Sequence, residues 1–306
     1  MPDNIKTINA FNDNYTLVEY ELFTMCDKAC SYCYNIDEET PKRFTNNTKD
    51  IIDGLARIMD MDNKRIIIQL IGGEVLLHKG FNEIIQYFID NKHPYHKLSV
   101  FTHSDHDPSM FKSKLSPLIS LGDNVKINIT LHQEHLNKLQ FKNNLVFVEQ
   151  EFNHCALYIF VYPEYINNFP FLYELLDSTR ISIFPIILDD SEDIALAYEM
   201  TNLNKLEKYE NRMDVQYDID GTIMPYNKGK YYMYKSEQLR YKGRNCSVRA
   251  FEVTKDGNIT MCCFTNEADT LGNIFDKDYK HLFNKRNIIC QEDKCHFNLV
   301  SMKVEK

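Results

Sequence analysis

Apolar positions along the chain fall into short runs of strand length, separated by segments with helical spacing. Thr16–Phe23, Ile66–Ile71, Leu98–Phe101, Val125–Leu131, Ala156–Tyr162 and Ile181–Leu188 read as strands. Most are nearly continuous in apolar character, as strands covered on both faces are. Thr48–Met61 places Ile51, Ile52, Leu55, Ile58 and Met59 on one helical face, and Phe81–Ile89, Pro108–Ile119 and Phe171–Leu176 also predict helices. His132–Leu139 predicts a further short helix. Six strands alternating with helices predict parallel βα units. After about residue 190 the pattern changes: Asp189–Asp193 offers caps for helical turns at Ala195–Tyr198 and Leu203–Tyr209, and 211–250 is tyrosine-rich and irregular. Phe251–Val253 and Ile259–Cys262, joined through Asp256-Gly257, predict a β-hairpin.

Composition narrows the class of protein. A chain of 306 residues fits one large domain, or one domain with a small appendage. Its formal charge of −9 argues against adhesion to anionic membranes or large nucleic acids. No run approaches the length of a membrane span and no basic leader precedes an apolar segment, so the expected compartment is a reducing cytoplasm. Nine cysteines are too few for a disulfide scaffold at this size, and they suggest metal binding.

Three of them, Cys26, Cys30 and Cys33, lie within eight residues after the first strand. Thiolates on one tight loop suit a metal or a cluster, with structural zinc as the bland alternative. Gly72-Gly73-Glu74 follows the second strand, where an ordinary turn is the competing explanation. A CxxxCxxC loop after strand one and Gly-Gly-Glu after strand two resemble the radical S-adenosylmethionine (radical SAM) superfamily. The resemblance implies an α/β fold with a partial (β/α)6 TIM-like barrel. It implies a [4Fe–4S] cluster on Cys26, Cys30 and Cys33, and SAM held near Tyr32, Gly72, Gly73 and Glu74.

Cys246 and Cys262 flank Gly257, and Leu271-Gly272-Asn273-Ile274 follows. This resembles the first half of a SPASM domain, or its shorter form called twitch. The resemblance implies one auxiliary [4Fe–4S] cluster on Cys246, Cys262, Cys290 and Cys295, in a small α+β cysteine-rich domain. Cys263 is an alternative to Cys262, because strand alternation turns only one of them inward, and zinc is again the alternative metal. The expected division is 1–210 for the barrel, with 1–15 as an extension, then 211–240 as a linker and 241–306 for the auxiliary domain.

Chemistry in such barrels sits at the C-terminal strand ends. There His103, His132 and Glu164 are candidate acid, base or substrate-orienting groups, and Ser104 and Thr130 are candidate contacts to SAM or substrate. The third and fourth strand ends depart from the family's usual Thr-Asn-Gly and Ser-Leu-Asp. A basic, tyrosine-rich stretch runs from Lys228 to Arg249 against the sign of the whole chain. The expected activity is reductive cleavage of SAM to a 5′-deoxyadenosyl radical, with an external one-electron donor such as flavodoxin or ferredoxin. The radical would abstract a C–H hydrogen from a peptide or protein. A small-molecule dehydrogenase or rearrangement enzyme is the alternative, and a zinc-stabilised binding protein is the non-enzymatic one.

Overall fold

Six consecutive strands pair in parallel, in chain order, as the alternation of apolar runs predicts. The structure is a computed structural model. It describes residues 7–10, 15–28, 30–31, 33, 47–61, 65–161, 169–187, 207–213, 216–225, 228, 242–243, 245–261, 270–284, 286–289 and 302–305. In order the elements are β1 (Thr7–Ala10), β2 (Thr16–Glu21), α1 (Thr48–Met59), β3 (Ile66–Ile71), α2 (Phe81–Asp90), β4 (His96–His103) and α3 (Pro108–Leu115). There follow β5 (Val125–Leu131), α4 (Lys138–Glu151), β6 (Cys155–Val161), α5 (Phe169–Ser178), β7 (Ser182–Ile187), β8 (Gln216–Ile219) and β9 (Thr222–Pro225). The remaining strands are β10 (Asn245–Val248), β11 (Ala250–Val253), β12 (Asn258–Thr260), β13 (Gly272–Asn273), β14 (Arg286–Ile289) and β15 (Met302–Glu305).

Local chemistry accounts for most of these boundaries. Asn47 caps α1 by accepting from Lys49 N, and Ile51, Leu55, Ile58 and Met59 bury one face. Asp107 caps α3 through Ser109 N and Met110 N, with Pro108 in the first turn. The short helix expected at His132–Leu139 is only a 3-10 turn at Gln133–His135, and the longer α4, which begins at Lys138, does not show in the apolar pattern. Its buried stripe is Phe141, Asn144, Leu145 and Val148, so a polar residue interrupts the apolar signal. Pro185 sits in β7, at the edge of its sheet, where the missing N–H costs least.

The barrel sheet has nine strands in the order β13-β12-β11-β2-β3-β4-β5-β6-β7. The expected hairpin forms β11 and β12, and β11 pairs in parallel with β2. Gly257 takes the turn position at φ +80°. The Leu271–Ile274 segment closes this hairpin: Asn273 Nδ2 donates to Asp256 O and Asn258 Oδ1, both at 3.0 Å. Arg57 of α1 then holds it, donating to Ile274 O and Asp276 O at 3.2 and 3.1 Å. A second, six-stranded antiparallel sheet in the order β14-β10-β15-β1-β8-β9 was not legible in the chain. Its strands pair over three or four residues and come from segments up to nearly 300 positions apart, too short to show alternation. Among the described residues, no helix is long and apolar enough to cross a membrane.

Candidate active site at the barrel mouth

The loop carrying the first cysteines is stitched to the end of β3. Gly73 N donates to Phe23 O and Glu74 N to Met25 O, both at 2.8 Å. No side chain fits in that seam. A Cβ on Gly72 would stand 2.2 Å from Phe23 O, and one on Gly73 only 1.9 Å from Met25 O. Gly72 also has φ +140°, which favours glycine. The glycines therefore let the chain's own backbone approach.

Glu74 turns inward and is 1% exposed. Its carboxylate accepts from Leu76 N at 3.0 Å, Thr102 Oγ1 at 2.7 Å and His103 N at 2.8 Å. It also lies 3.5 Å from His103 Nε2 and 3.4 Å from His106 Nε2. Burial disfavours its charge, but the two histidines and Thr102 outweigh that and hold it below the ordinary carboxylate range.

His103 is buried and stacked on His106, with ring centroids 4.0 Å apart, and its Nε2 is 2.7 Å from Asp27 Oδ1. Burial opposes a charge here too. Hydrogen bonds to Asp27 and Cys26 and the Glu74 carboxylate prevail, and raise its pKa to about 10. The same hydrogen bond holds Asp27 well below its usual range, against the cost of partial burial. At neutral pH His103 is thus an imidazolium fixed between carboxylates, which suits it to anchoring rather than to taking a proton. Its folded pKa lies above the ordinary 6.5, so its stabilisation is complete below about pH 6.5 and is lost as pH rises toward 10. The thermal midpoint is expected to fall between pH 7 and 10, and to fall less in His103→Gln. Parallel profiles for the two proteins would contradict this assignment.

Further ties draw the loop across the mouth. Lys28 Nζ meets Asp105 Oδ2 at 2.7 Å, Ser31 N donates to Glu134 Oε2 at 2.7 Å, and Cys30 Sγ lies 3.4 Å from His132 Nδ1. Asp105 also accepts from Asn137 N at 3.0 Å. From behind, the buried Asn144 of α4 donates to Ser104 O at 2.8 Å and His106 O at 2.9 Å. Asn144→Ala strands two buried carbonyls, so a loss of about 2–4 kcal/mol in denaturant unfolding is expected. A loss under about 0.5 kcal/mol would show that the carbonyls find other partners.

The structure therefore brings together Cys26, Cys30, Gly72, Gly73, Glu74, His103 and His132, from the ends of four strands. Thr130 lies on the lumen face of β5, opposite Tyr158 of β6. Ser104 is fully buried under α4. Tyr32, Glu164, Cys262, Cys290 and Cys295 lie outside the described residues, as do Cys263 and most of the 228–249 stretch. Sequence reasoning missed Asp27, Lys28, Asp105, His106 and Glu134. The only signal was a cluster of charged residues within the cysteine spacing and just after His103, with nothing to say which pairs would meet.

The metal-site expectation needs correction. Among the described residues, the potential ligands that converge are Cys26–Asp27–His103 and Glu74–His103–His106, with donor atoms within 4.8 Å of one another. These are mixed sulfur, oxygen and nitrogen sets, not the three- and four-cysteine sets expected for two [4Fe–4S] clusters. Two thiols of the first loop, those of Cys26 and Cys30, have their own neighbours. Cys26 Sγ accepts from Lys28 N at 3.4 Å, Cys30 packs on His132, and Cys33 follows a turn closed by its own N–H on Cys30 O. Cys246 is buried in β10, opposite Ile288 and Val304 of neighbouring strands.

No protein-family model and no curated protein matches the chain. Solved structures do. Native anSMEcpe with bound AdoMet superposes with a TM-score of 0.61 at 14% identity, covering 88% of this chain and 81% of that one. The same protein with AdoMet and the Cp18Cys peptide gives 0.59 at 15% identity, covering 88% and 80%. Streptococcus suis SuiB bound to S-adenosylmethionine gives 0.57 at 14% identity, covering 89% of this chain. This chain has their fold. It spans 66% of the length of SuiB. The architecture that the radical SAM resemblance implies, a partial barrel followed by a smaller C-terminal region, is the one observed.

Proposed function

We propose that the chain is an enzyme that cleaves SAM reductively to a 5′-deoxyadenosyl radical and abstracts hydrogen from carbon in a peptide or protein. One observation carries this reading: the loop after β2 is zipped onto Gly72-Gly73-Glu74 at the mouth of a barrel whose fold recurs in proteins solved with SAM. The peptide half draws support from the structural neighbour solved with a peptide. Backbone groups of Gly72–Glu74, together with Thr130 on the lumen wall, are the proposed contacts to SAM. The stitched loop and the His103 anchor hold that surface still and limit water, so that a reactive radical meets only its substrate. His132, half-buried between Cys30 and the Phe160 ring, is the proposed substrate-facing group. The electron is proposed to come from an external one-electron carrier of flavodoxin or ferredoxin type.

The experiment uses a peptide pool carrying deuterium on carbon. Incubated anaerobically with SAM and a one-electron reductant, the protein is expected to return 5′-deoxyadenosine containing deuterium. Unlabelled 5′-deoxyadenosine alone, across pools of diverse sequence, would remove the peptide half. A small-molecule substrate would then take its place.

A further inference from the structure

Barrel interiors are usually filled by layers of branched apolar side chains. Here one layer is polar. Tyr20 of β2 points outward, its hydroxyl against Gly54 of α1, so its neighbour Glu19 faces the lumen. Glu19 stands in register with Glu252 of β11 on one side and Gln69 of β3 on the other, and Gln69 is in register with Ser99 of β4. Gln69 Nε2 donates to Glu19 Oε1 at 2.8 Å. On β5, Asn128 Nδ2 donates to Ser99 Oγ at 2.6 Å. The row thus crosses five adjacent strands below the catalytic mouth.

Each amide of this row gives one N–H to a neighbour within it, and acceptors remain on Asn128, Glu19 and Glu252. Asn128 is 1% exposed, and its Oδ1 has no hydrogen-bond partner. The second oxygen of Glu19 and the carboxylate of Glu252 add further acceptors. Burial and the adjacent Glu252 push the Glu19 carboxyl up to about 8, and burial and Glu21 raise Glu252 as well. Glu21, one step nearer the mouth, is satisfied by Lys255 N at 3.2 Å. Lys126 stands in register with Ser99, and the two line, with Lys97, a cavity of about 630 Å³ that opens at the opposite end of the barrel, so the lysines border the row on its β4–β5 side and the carboxyl groups lie on its β2–β11 side. Above the row, Phe101, Tyr158 and Phe184 form an aromatic wall, with successive ring centroids 4.8 Å apart.

We propose that this lumenal row is a specificity site for a cationic side chain of the substrate, an ammonium or a guanidinium. A donor-only cation matches the spare acceptors of Glu19, Glu252 and Asn128. It relieves two carboxyl groups that otherwise repel one another, and the aromatic wall favours it further. The assignment rests on the peptide reading above and selects within it: the modified peptide presents a lysine or arginine to the lumen.

Binding tests this without turnover, so its outcome is separable from that of the deuterium experiment. The probes are acetylated, amidated Gly-Gly-X-Gly-Gly peptides with X as Lys, Arg or norleucine, titrated calorimetrically into the full-length protein. The Lys or Arg peptide is expected to bind at least about tenfold more tightly than norleucine, and the better of the two identifies amine or guanidinium. In Glu19→Gln/Glu252→Gln the preference should shrink to within about twofold. Should that variant fail to fold by circular dichroism, the wild type still decides. Binding a cation at pH 7 should release a proton from the Glu19–Glu252 pair, read as a dependence of the binding heat on buffer ionisation enthalpy. Equal affinity for norleucine, an unchanged preference in the folded double variant, or no proton release would each overturn the proposal.

Discussion

Glu74→Ala is expected to destabilise the protein by about 3–5 kcal/mol, the usual result of removing one member of a buried charged pair. The residue is almost wholly enclosed, and three hydrogen bonds converge on its carboxylate. Two histidine nitrogens stand within 3.5 Å of it. Removing the carboxylate leaves Asp27 as the one counter-charge beside the His103 imidazolium among the described residues. It also leaves the amides of Leu76 and His103 without acceptors in a site closed to water. Glu74→Gln retains a carbonyl acceptor but no charge, so its loss should be smaller than that of the alanine variant. Urea unfolding of the three proteins measures this directly. A loss below about 1 kcal/mol for Glu74→Ala would mean that the mouth is not held from within by this carboxylate.

Gly73→Ala should have its largest effect on turnover. The new methyl would lie 1.9 Å from Met25 O and 2.3 Å from its carbonyl carbon. Both are main-chain atoms, so no rotamer change relieves the clash. The loop after β2 must move away from β3, which breaks the bond from Gly73 N to Phe23 O or that from Glu74 N to Met25 O. A displacement near 1 Å in a reacting geometry costs about 100-fold in rate, and a loss of that size in SAM cleavage is expected. Overpacking should lower stability by about 1–3 kcal/mol as well. Turnover within about threefold of wild type would show that the seam plays no part in the chemistry.

How much of this was legible in the chain follows from the range of each interaction. The six parallel strands and four of their helices announce themselves through local periodicity. Helix α4 does not announce itself, because Asn144, at a core position, serves the carbonyls of Ser104 and His106 rather than an apolar face. Gly72–Glu74 was placed at the correct strand end, yet the partner of its glycines, the backbone of Phe23 and Met25, is set by strand register. His103 was read as a candidate base because free imidazole titrates near neutrality. Its neighbours Asp27 and Glu74 arrive from two other strand ends and turn it into a fixed cation. The cysteine spacing pointed to all-thiolate sites, whereas carboxylates and histidines distant in sequence enter the clusters that converge. The lumenal row left a faint trace. Gln69 is the one polar residue of β3, Ser99 and Asn128 each sit between two apolar neighbours, and alternation places all three on one face.

Radical cleavage of SAM at the stitched mouth of this barrel is the activity proposed for this chain. Its most direct test is an anaerobic incubation of the purified protein with SAM and a one-electron reductant, with products resolved by liquid chromatography and mass spectrometry. Equal amounts of 5′-deoxyadenosine and methionine, formed by the wild type and strongly reduced in Gly73→Ala, are the predicted result. SAM recovered intact from reduced wild-type protein would contradict the account.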